Sequence, residues 1–433
     1  LDSTDVLVYS PVLKELVLKK TIYIIIGVSV LVVLTVLFFV FSGSRLFKSS
    51  AWESGKHINF FVKFGIADEE EVRAKVQSTY QQLFFGNEMT QRLFYETADG
   101  DGFISSIDSR DIRSEGMSYG MIIAVMMDDK DTFDKLWTFA KNRMQHQDGE
   151  KKGYFAWQLR NEAPYVMLDP YSAPDGEEYF VMALLFAGKR WGNGSGIYDY
   201  ETEANDILHV MVHKEPSRTI SPMIDPEHKQ IVFSPNPPAA GFTDPSYHLP
   251  AFYELWARWA KEDNELWNEV ALVSRDYFTL AAHPETGLFT EYASFDGKPY
   301  KVSFNSSSHL SAFDSFRVIQ NIAVDHLWFA TDERAVEAVN KLLGFYAAQP
   351  TIVAVYSHDG KPKVNYGSPA LVAMNAVGAT ISTEDFAKRF VEELWAQPTP
   401  AGRWRYYNGL LHMLGLLHVS GEFKIYGNPE LRE

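Results

Sequence analysis

The sequence contains no cysteine among its 433 residues. Disulfide bonds, zinc–thiolate sites, iron–sulfur clusters and cysteine nucleophiles are therefore excluded. Basic residues are also few, with 40 Lys and Arg against 56 Asp and Glu, and the net charge is −16. Because a chain this acidic repels phosphate groups, no nucleic-acid partner is predicted.

Metal-binding patterns are missing as well. The 12 histidines show no His-Glu-x-x-His pair, and no comparable spacing is recognised among them. Asp99-Gly100-Asp101-Gly102 begins like a calcium loop, but its twelfth position is Arg110, where such a loop needs a glutamate. A plain turn is predicted there. These patterns therefore predict no metal site.

Charge is absent from residues 21–41, which are mostly aliphatic. Twenty-one helical residues span roughly 31 Å, about the hydrocarbon thickness of a membrane. The sequence therefore predicts a transmembrane anchor at 21–41, between an N-terminal segment at 1–20 and a polar linker at 42–58. Lysine and arginine are denser before the span than after it. This predicts a cytoplasmic N-terminus, with the large domain at 59–433 outside the cytoplasm.

The large domain is predicted to be all-α. Hydrophobic residues make up 46% of the chain, enough for a large core, and helical periodicity recurs about twelve times with loops of alternating length. The first stretch places Val72, Val76, Tyr80 and Leu83 on one face. Such an alternation suits a closed toroid of helix pairs. The predicted helices lie near 68–84, 115–128, 132–146, 175–190, 199–214, 249–261, 264–283, 312–329, 332–347, 369–379, 383–395 and 405–419.

Three acidic motifs begin predicted helices, and each has Gly, Tyr or Phe beside the acid. Taken singly, each acid is also a candidate helix cap. Taken together, they lie at one end of a toroid if its hairpins alternate. Two carboxyl groups in different environments are what glycoside hydrolysis needs, one as proton donor and one as base or nucleophile. The motifs are Arg113-Ser114-Glu115-Gly116-Met117-Ser118-Tyr119-Gly120, Ala173-Pro174-Asp175-Gly176-Glu177-Glu178-Tyr179 and Ser311-Ala312-Phe313-Asp314-Ser315-Phe316-Arg317.

In this order and spacing, the motifs resemble glycoside hydrolase family 8. The resemblance runs from about residue 60 to 426. Within the family it is closest to enzymes that release xylose from the reducing end of xylo-oligosaccharides. It implies an (α/α)6 barrel as the catalytic domain, an inverting mechanism and a β-1,4-glycan substrate. The chemistry that it implies needs neither a metal ion nor an organic cofactor. Further matching stretches are Gly153-Tyr154-Phe155-Ala156-Trp157, Thr243-Asp244-Pro245-Ser246-Tyr247-His248-Leu249-Pro250, His283-Pro284-Glu285-Thr286-Gly287 and Arg405-Tyr406-Tyr407-Asn408.

The resemblance also implies roles for individual residues. Glu115 matches the general acid of the family and Asp314 its general base. Asp175 matches the acid that positions and distorts the sugar, and Tyr247 and Arg317 match residues that place the water and orient the base. Aromatic side chains near such a site bind sugar by stacking, although core packing is the alternative for each of them. The predicted substrate-binding residues are Arg113, Tyr119, Phe155, Trp157, Tyr406 and Tyr407.

One turn departs from the reducing-end enzymes. They carry a Leu-His-Pro turn that blocks the cleft beyond the first leaving-group sugar. The matching stretch here is Tyr366-Gly367-Ser368-Pro369, apparently one residue shorter and without the histidine. Two interpretations stay open: a barrier made by other residues, or an open cleft in an enzyme that cuts internally, as a xylanase, β-glucanase or chitosanase.

Two other classes of protein are weighed against this hypothesis. Gly116-Met117-Ser118-Tyr119-Gly120 also fits the Gly-x-Ser-x-Gly motif of serine hydrolases. That motif needs a buried strand before it, and residues 108–114 are polar and not strand-like. A non-catalytic sugar-binding protein is the second alternative. Three matched acids argue against it, because binding alone does not need paired titrating carboxyls.

Overall fold

The structure is a computed structural model that describes residues 50–237 and 239–427. The predicted N-terminal segment at 1–20 and the predicted anchor at 21–41 lie outside the described residues. Within the described part, no helix is both long and apolar enough to cross a membrane. The anchor at 21–41 stays a prediction.

Fourteen helices are present in the described residues, and twelve of them have ten residues or more. The predicted number of about twelve helices is thereby confirmed. The two short ones are α1 (Ala51–Ser54) and α2 (Phe60–Lys63). The others are α3 (Glu69–Phe85), α4 (Ser114–Met126), α5 (Lys130–Phe139), α6 (Pro174–Trp191), α7 (Tyr200–His213), α8 (Pro250–Trp259), α9 (Asn264–Ala281), α10 (Phe316–Phe329), α11 (Arg334–Ala347), α12 (Pro369–Ala379), α13 (Ala387–Ala396) and α14 (Arg405–Val419).

The twelve longer helices form two concentric rings. The even-numbered helices α4 to α14 make the inner ring, and each packs against at least one odd-numbered outer helix. Inner helices are buried on most sides: in α4 all residues except Glu115 are buried. Outer helices bury one face, and in α3 this face includes Val72, Val76, Tyr80 and Leu83 as predicted.

The inner ring closes on itself. Helix α14 packs against α4, and α12 joins α14 to α10. Between α6 and α8, the rings of Tyr179 and Phe252 meet edge to face with centroids 5.0 Å apart. Between the same two helices, the hydroxyl of Tyr253 also donates a hydrogen bond to the buried carboxyl of Glu178. The fold is therefore the (α/α)6 barrel that the family resemblance implies.

Seven short strands accompany the helices in the part of the chain that the structure describes, so the domain is mostly helical rather than strictly all-α. All the pairings are antiparallel, as in Asp111↔Arg160 between β3 and β4 and Ser311↔Tyr356 between β6 and β7. Single-chain periodicity cannot detect strands of two or three residues. They are β1 (Phe94–Glu96), β2 (Gly102–Ile104), β3 (Asp111–Arg113), β4 (Gln158–Arg160), β5 (Met167–Asp169), β6 (Leu310–Ser311) and β7 (Tyr356–Ser357).

Two strands lead into the helix starts that carry acidic residues. Strand β3 runs directly into α4, and β6 precedes the 3-10 turn Phe313–Ser315 that leads into α10. Because consecutive inner helices are separated by one outer helix, they all run in the same direction. The starts of α4, α6, α10 and α14 therefore meet at one end of the barrel.

Part of the predicted linker is folded. Residues 50–58 include α1, and its Trp52 ring packs near Trp259 and Phe329 with centroids 6.2 and 6.0 Å apart. Ser50 and Glu53 form a capping box at the start of this helix. A polar composition indicated a linker here, but the contacts of the partly buried Trp52 with these two rings fix the segment to the domain.

Candidate active site

Arg317, in the first turn of α10, is buried at the centre of the site. Its Nη1 donates to Glu115 Oε2 at 3.1 Å and to Asp175 Oδ2 at 2.8 Å. Its Nη2 donates to Asp314 Oδ1 at 3.2 Å. One guanidinium thus joins the three acids of the sequence motifs, which come from three different helix starts.

None of these three acids occupies an N-cap position. The N-cap residues of α4, α6 and α10 are Arg113, Ala173 and Ser315, and none of them caps its helix through the side chain. The acids lie beside the caps and turn toward Arg317 instead. The interpretation of the acids as ordinary helix caps is therefore wrong.

Glu115 lies in the first turn of α4, and its side chain is 15% exposed. Its second oxygen, Oε1, accepts a hydrogen bond from Tyr406 Oη at 3.0 Å. Burial raises the pKa of Glu115; Arg317 opposes the rise and the charge of Asp314 adds to it. A raised pKa keeps the carboxyl protonated at higher pH, which is the state that a proton donor needs.

Asp175 is more deeply buried, with 5% of its side chain exposed. Burial raises its pKa to about 7, although Arg317 counteracts the rise. Asp314 is the most open of the three, at 28% exposed, and sits on the 3-10 turn before α10. The three carboxyls therefore occupy different environments, as acid–base chemistry with paired carboxyls requires.

Two further acids lie at the site that the sequence did not single out. Asp244 is fully buried, accepts from the Ser246 N–H at 2.7 Å and has Oδ2 3.9 Å from Arg317 Nη2. Burial raises the pKa of Asp244 well above its usual range, and the charge of Asp314 adds to this. Asp244 belongs to a matching stretch of the sequence, so its position beside Tyr247 was an available signal.

Glu291 is the second additional acid, and no spacing in the sequence marks it. Its Oε2 accepts from Asn305 Nδ2 at 2.9 Å. Burial, together with the charge of Asp314, raises the pKa of Glu291 to about 8. The cation of Arg317 faces an excess of carboxyl groups, so the site retains protons near neutral pH.

A cavity of about 640 Å³ opens beside the acids. Beyond Glu115, Asp175 and Asp314, its lining includes Trp157, Asp169, Tyr171, Phe233, Asn236, Tyr292 and Asn305. Its walls are partly aromatic. Phe233 stacks on Tyr247 with centroids 6.1 Å apart and an interplanar angle of 9°. A concave site with aromatic walls and convergent carboxyls has the features of a carbohydrate-binding cleft.

The family is decided by comparison with known proteins. The model for glycosyl hydrolases family 8 matches residues 93–421, which include all three acids and Arg317. The chain belongs to glycoside hydrolase family 8. It is therefore a glycoside hydrolase, and the family membership that the sequence motifs indicated is confirmed.

Relatives within family 8 cover almost the whole described domain. The reducing-end xylose-releasing exo-oligoxylanase Rex8A of Paenibacillus barcinonensis is 39% identical over 87% of this chain and 98% of its own. The enzyme of that description from Halalkalibacterium halodurans is also 39% identical, over 87% of this chain and 96% of its own. A catalytic mutant of a family 8 xylanase from Teredinibacter turnerae, solved with xylohexaose, superposes with a TM-score of 0.83 at 40% identity, covering 86% and 99% of the two chains.

Two predicted substrate-binding residues of this family 8 enzyme, Arg113 and Trp157, line the cavity, and so does Tyr247, which was predicted to help place the water. The guanidinium of Arg113 lies over the Trp157 ring, 5.7 Å from its centroid, and over the Tyr406 ring at 5.8 Å. Its Nε donates to Asp111 Oδ1 at 3.1 Å. Arg113 and Trp157 therefore form one wall beside the proton-donor candidate Glu115.

Other predicted substrate residues lie behind the cavity wall. Tyr119 is buried, and its hydroxyl accepts from Arg317 Nη1 at 2.8 Å. Tyr406 is buried against Glu115, and Tyr407 donates its hydroxyl to the Phe313 carbonyl at 2.7 Å. Phe155 is fully buried in the core with a ring centroid 4.9 Å from that of Phe180. The structure thus places Phe155 away from substrate, because core packing takes its side chain.

Ser118 is not an exposed nucleophile in this enzyme. A short strand, β3, does precede α4, unlike the sequence expectation. Ser118 is nevertheless fully buried inside the helix, where its Oγ donates to the Glu115 carbonyl at 3.0 Å. A nucleophile elbow exposes its serine at the start of the helix. The serine-hydrolase alternative is therefore excluded by the position of this side chain.

The acidic turn at 99–102 is held by an arginine. Arg143 Nη2 pairs with Asp99 at 2.7 Å, and its Nε pairs with Asp101 at 2.9 Å. These contacts agree with the predicted plain turn.

Proposed function

We propose that this enzyme hydrolyses β-1,4-xylosidic bonds in xylo-oligosaccharides and releases xylose from the reducing end. The observation that carries the proposal is the 39% identity to Rex8A over 98% of that protein. The cavity supports it, because its size and aromatic walls suit a chain of sugar rings.

Glu115 is the proposed general acid, because it combines a raised pKa with a position at the cavity edge. Asp314 is the proposed general base. Its greater exposure leaves the carboxylate open to the water that it must activate. The two acids bond opposite terminal nitrogens of Arg317, so a guanidinium and two hydrogen bonds separate them. Such a gap suits an inverting pair, whose carboxyls stand about 6.5–9.5 Å apart with water between them.

Asp175, Tyr247 and Arg317 complete the proposed machinery. Asp175 lines the cavity and is fixed by Arg317, so it can hold a sugar hydroxyl and favour a distorted ring. Tyr247 also lines the cavity, and the Arg317 guanidinium lies 5.7 Å from its ring centroid. Arg317 orients Asp314 and leaves the proton of Glu115 available for the leaving oxygen.

Two isosteric substitutions test the assigned roles. Glu115→Gln and Asp314→Asn should each lower kcat on xylohexaose by about 10²–10⁴-fold, because each removes one proton-transfer step. Circular dichroism and melting temperature should stay close to wild type. Glu265→Gln, an exposed glutamate in the first turn of α9, is the matched control and should keep full activity. Turnover unchanged in Glu115→Gln would contradict the assignment.

Internal cleavage is the second candidate function, because Gly367-Ser368-Pro369 lacks the Leu-His pair of the reducing-end enzymes. The turn is held beside α14, where Asn408 Oδ1 accepts from Ser368 Oγ at 3.0 Å and from the Ala370 N–H at 3.1 Å. None of residues 366–369 lines the cavity beside the acids. A cavity that does not reach this turn favours a short leaving group and therefore the exo mode.

A time course on xylohexaose labelled at its reducing end separates the two modes. Label found first in xylose, with unlabelled xylopentaose beside it, is the expected result. Labelled xylobiose and xylotriose appearing at the same early times would overturn the exo mode and leave an internally cutting xylanase. Cello-oligosaccharide and chitosan oligomers tested at equal concentration should be cleaved more slowly.

The proposal also includes a membrane anchor at residues 21–41, with the catalytic domain outside the cytoplasm. It is supported by twenty-one consecutive uncharged residues and by the distribution of lysine and arginine around them. Activity should remain with the membrane fraction after a salt wash, and protease added to intact cells should degrade the catalytic domain. Activity found in the soluble fraction, or a domain protected in intact cells, would contradict this part.

A further inference from the structure

A pair of histidines lies on the outer ring, apart from the residues that line the cavity. His209 and His213 stand one turn apart on α7, with ring centroids 4.9 Å from each other. Their side chains are 56% and 43% exposed. The i, i+4 spacing places both imidazoles on one face of the helix. The expectation of no metal-like spacing among the histidines overlooked this pair.

Two carboxylates from another element face these rings. Glu262 and Asp263 lie in the turn between α8 and α9. His209 Nδ1 is 2.6 Å from Glu262 Oε1, and His213 Nε2 is 2.7 Å from Asp263 Oδ2. Ligand atoms of His209, His213 and Glu262 all fall within 4.8 Å of one another. In residues 50–237 and 239–427, this is the only trio of His, Asp or Glu that comes together as a candidate metal site.

The donor set has a definite chemical preference. Two neutral imidazoles and one carboxylate form a common zinc ligand set, with the fourth position left to water. Imidazole also binds copper, nickel and cobalt, whereas calcium and magnesium prefer all-oxygen sites. Zinc–ligand bonds of about 2.0–2.2 Å require the three donors to move closer together. All three side chains are exposed, so they can rotate without disturbing the core.

The existing hydrogen bonds prepare the site for a metal. His209 Nδ1 and Glu262 Oε1, both candidate metal ligands, share one proton, and a divalent cation can take the place of that proton. The contact from His213 Nε2 to Asp263 is the kind of outer hydrogen bond that fixes a metal-binding imidazole and its tautomer. Donors from two segments would then hold one ion.

We propose that His209, His213 and Glu262 bind one zinc ion, with Asp263 orienting His213. The ion ties α7 to the turn between α8 and α9 and so braces the outer ring. Its function is structural. The proposal is independent of the proposed reaction, because none of these residues lines the catalytic cavity.

Titration calorimetry of the chelator-treated enzyme with zinc chloride tests the site. We expect one zinc per chain in the wild type and an affinity at least about tenfold lower in the double variant His209→Gln, His213→Gln. His228→Gln is the matched control, because His228 is an equally exposed histidine, at 43%, paired with Asp225. It should bind zinc like the wild type. Absence of stoichiometric binding, or equal affinity in the double variant, would overturn the proposal.

Thermal unfolding gives a second readout. Zinc bound only by the folded chain raises the melting temperature of the wild type and of His228→Gln, but not that of the double variant. The double variant should also keep wild-type kcat/KM on xylohexaose, which separates this site from the catalytic one. An equal rise in melting temperature in all three proteins would mean that zinc acts elsewhere and would also overturn the proposal.

Discussion

Tyr406 donates its hydroxyl hydrogen to Oε1 of Glu115 over 3.0 Å, while Arg317 holds the other oxygen of the same carboxyl. The two contacts come from α14 and α10, on different sides of the inner ring. Tyr406 therefore positions the proposed general acid from behind the cavity wall. The sequence predicted that Tyr406 binds sugar directly, but the side chain is buried and does not line the cavity.

Tyr406→Phe should move the alkaline limb of the pH profile. In the wild type, the hydrogen bond from Tyr406 lowers the pKa of Glu115. The variant lacks this bond, so the pKa of Glu115 rises and the alkaline limb of kcat/KM shifts to higher pH. We also expect a loss of about tenfold at the optimum from poorer orientation. Tyr80→Phe is the control, since Tyr80 is equally buried and donates to Asp129 at 2.8 Å, remote from the site. A limb that moves to lower pH would contradict the prediction.

Arg317→Lys should disable the site although it keeps the charge. A lysine ammonium is a point donor and cannot bridge Glu115, Asp175 and Asp314 from two nitrogens. We expect kcat to fall about 100-fold or more, with unfolding free energy reduced by about 1–3 kcal/mol. Arg334→Lys, an exposed arginine paired with Asp276 and Asp332, should change neither quantity measurably. Steady-state kinetics and urea unfolding make the comparison.

Gly116→Ala should impair activity through a steric contact. A Cβ at this helical glycine would lie 2.6 Å from both Cε2 and the hydroxyl oxygen of Tyr406, so the side chain must move away from Glu115. We expect lower kcat and a small loss of stability. Gly344→Ala in α11 is the matched control, because its Cβ would meet only Phe386 at 3.8 Å. That control should gain up to about 1 kcal/mol from helix propensity. Full activity in Gly116→Ala would show that the ring position is not required.

Glu177→Gln should stabilise the enzyme at alkaline pH. Burial raises the pKa of Glu177 to about 8 from its ordinary value of 4.5. Between these two values the folded chain binds a proton that the unfolded chain has lost, so wild-type stability falls as the pH rises through this window. The neutral amide avoids this loss. We expect little difference from wild type at pH 4.5, and a gain at pH 9 of roughly 1.4 kcal/mol for each unit of pKa shift.

Urea unfolding at the two pH values measures this effect. Subtracting wild type from variant at each pH isolates Glu177 from Asp175, whose pKa of about 7 titrates in the same range in both proteins. Glu265→Gln, at an exposed position, should show no such pH-dependent gain. A stability difference that is constant with pH would contradict a buried, proton-binding Glu177.

The helices could largely be predicted because their signal is local. In α3 the periodic residues Val72, Val76, Tyr80 and Leu83 are all buried. The short strands had no such signal, since pairs such as Ser311↔Tyr356 are made by residues far apart in the chain. The same limit applies to Phe155. Its motif placed it near the site, but neighbours from the core decided that its side chain points inward.

The helical periodicity, the family and the three acids at helix starts could be predicted from the amino-acid sequence alone. Those features depend on residues that are close in the sequence and on the spacing of motifs. The folded structure was needed to show that Arg317 joins all three acids and that Asp244 and Glu291 feel the charge of Asp314. It was also needed to show that Tyr119 and Tyr406 contact Arg317 and Glu115 from behind the cavity wall. Burial and proximity to other charges set the protonation of a carboxyl, and both arise only when distant segments pack together.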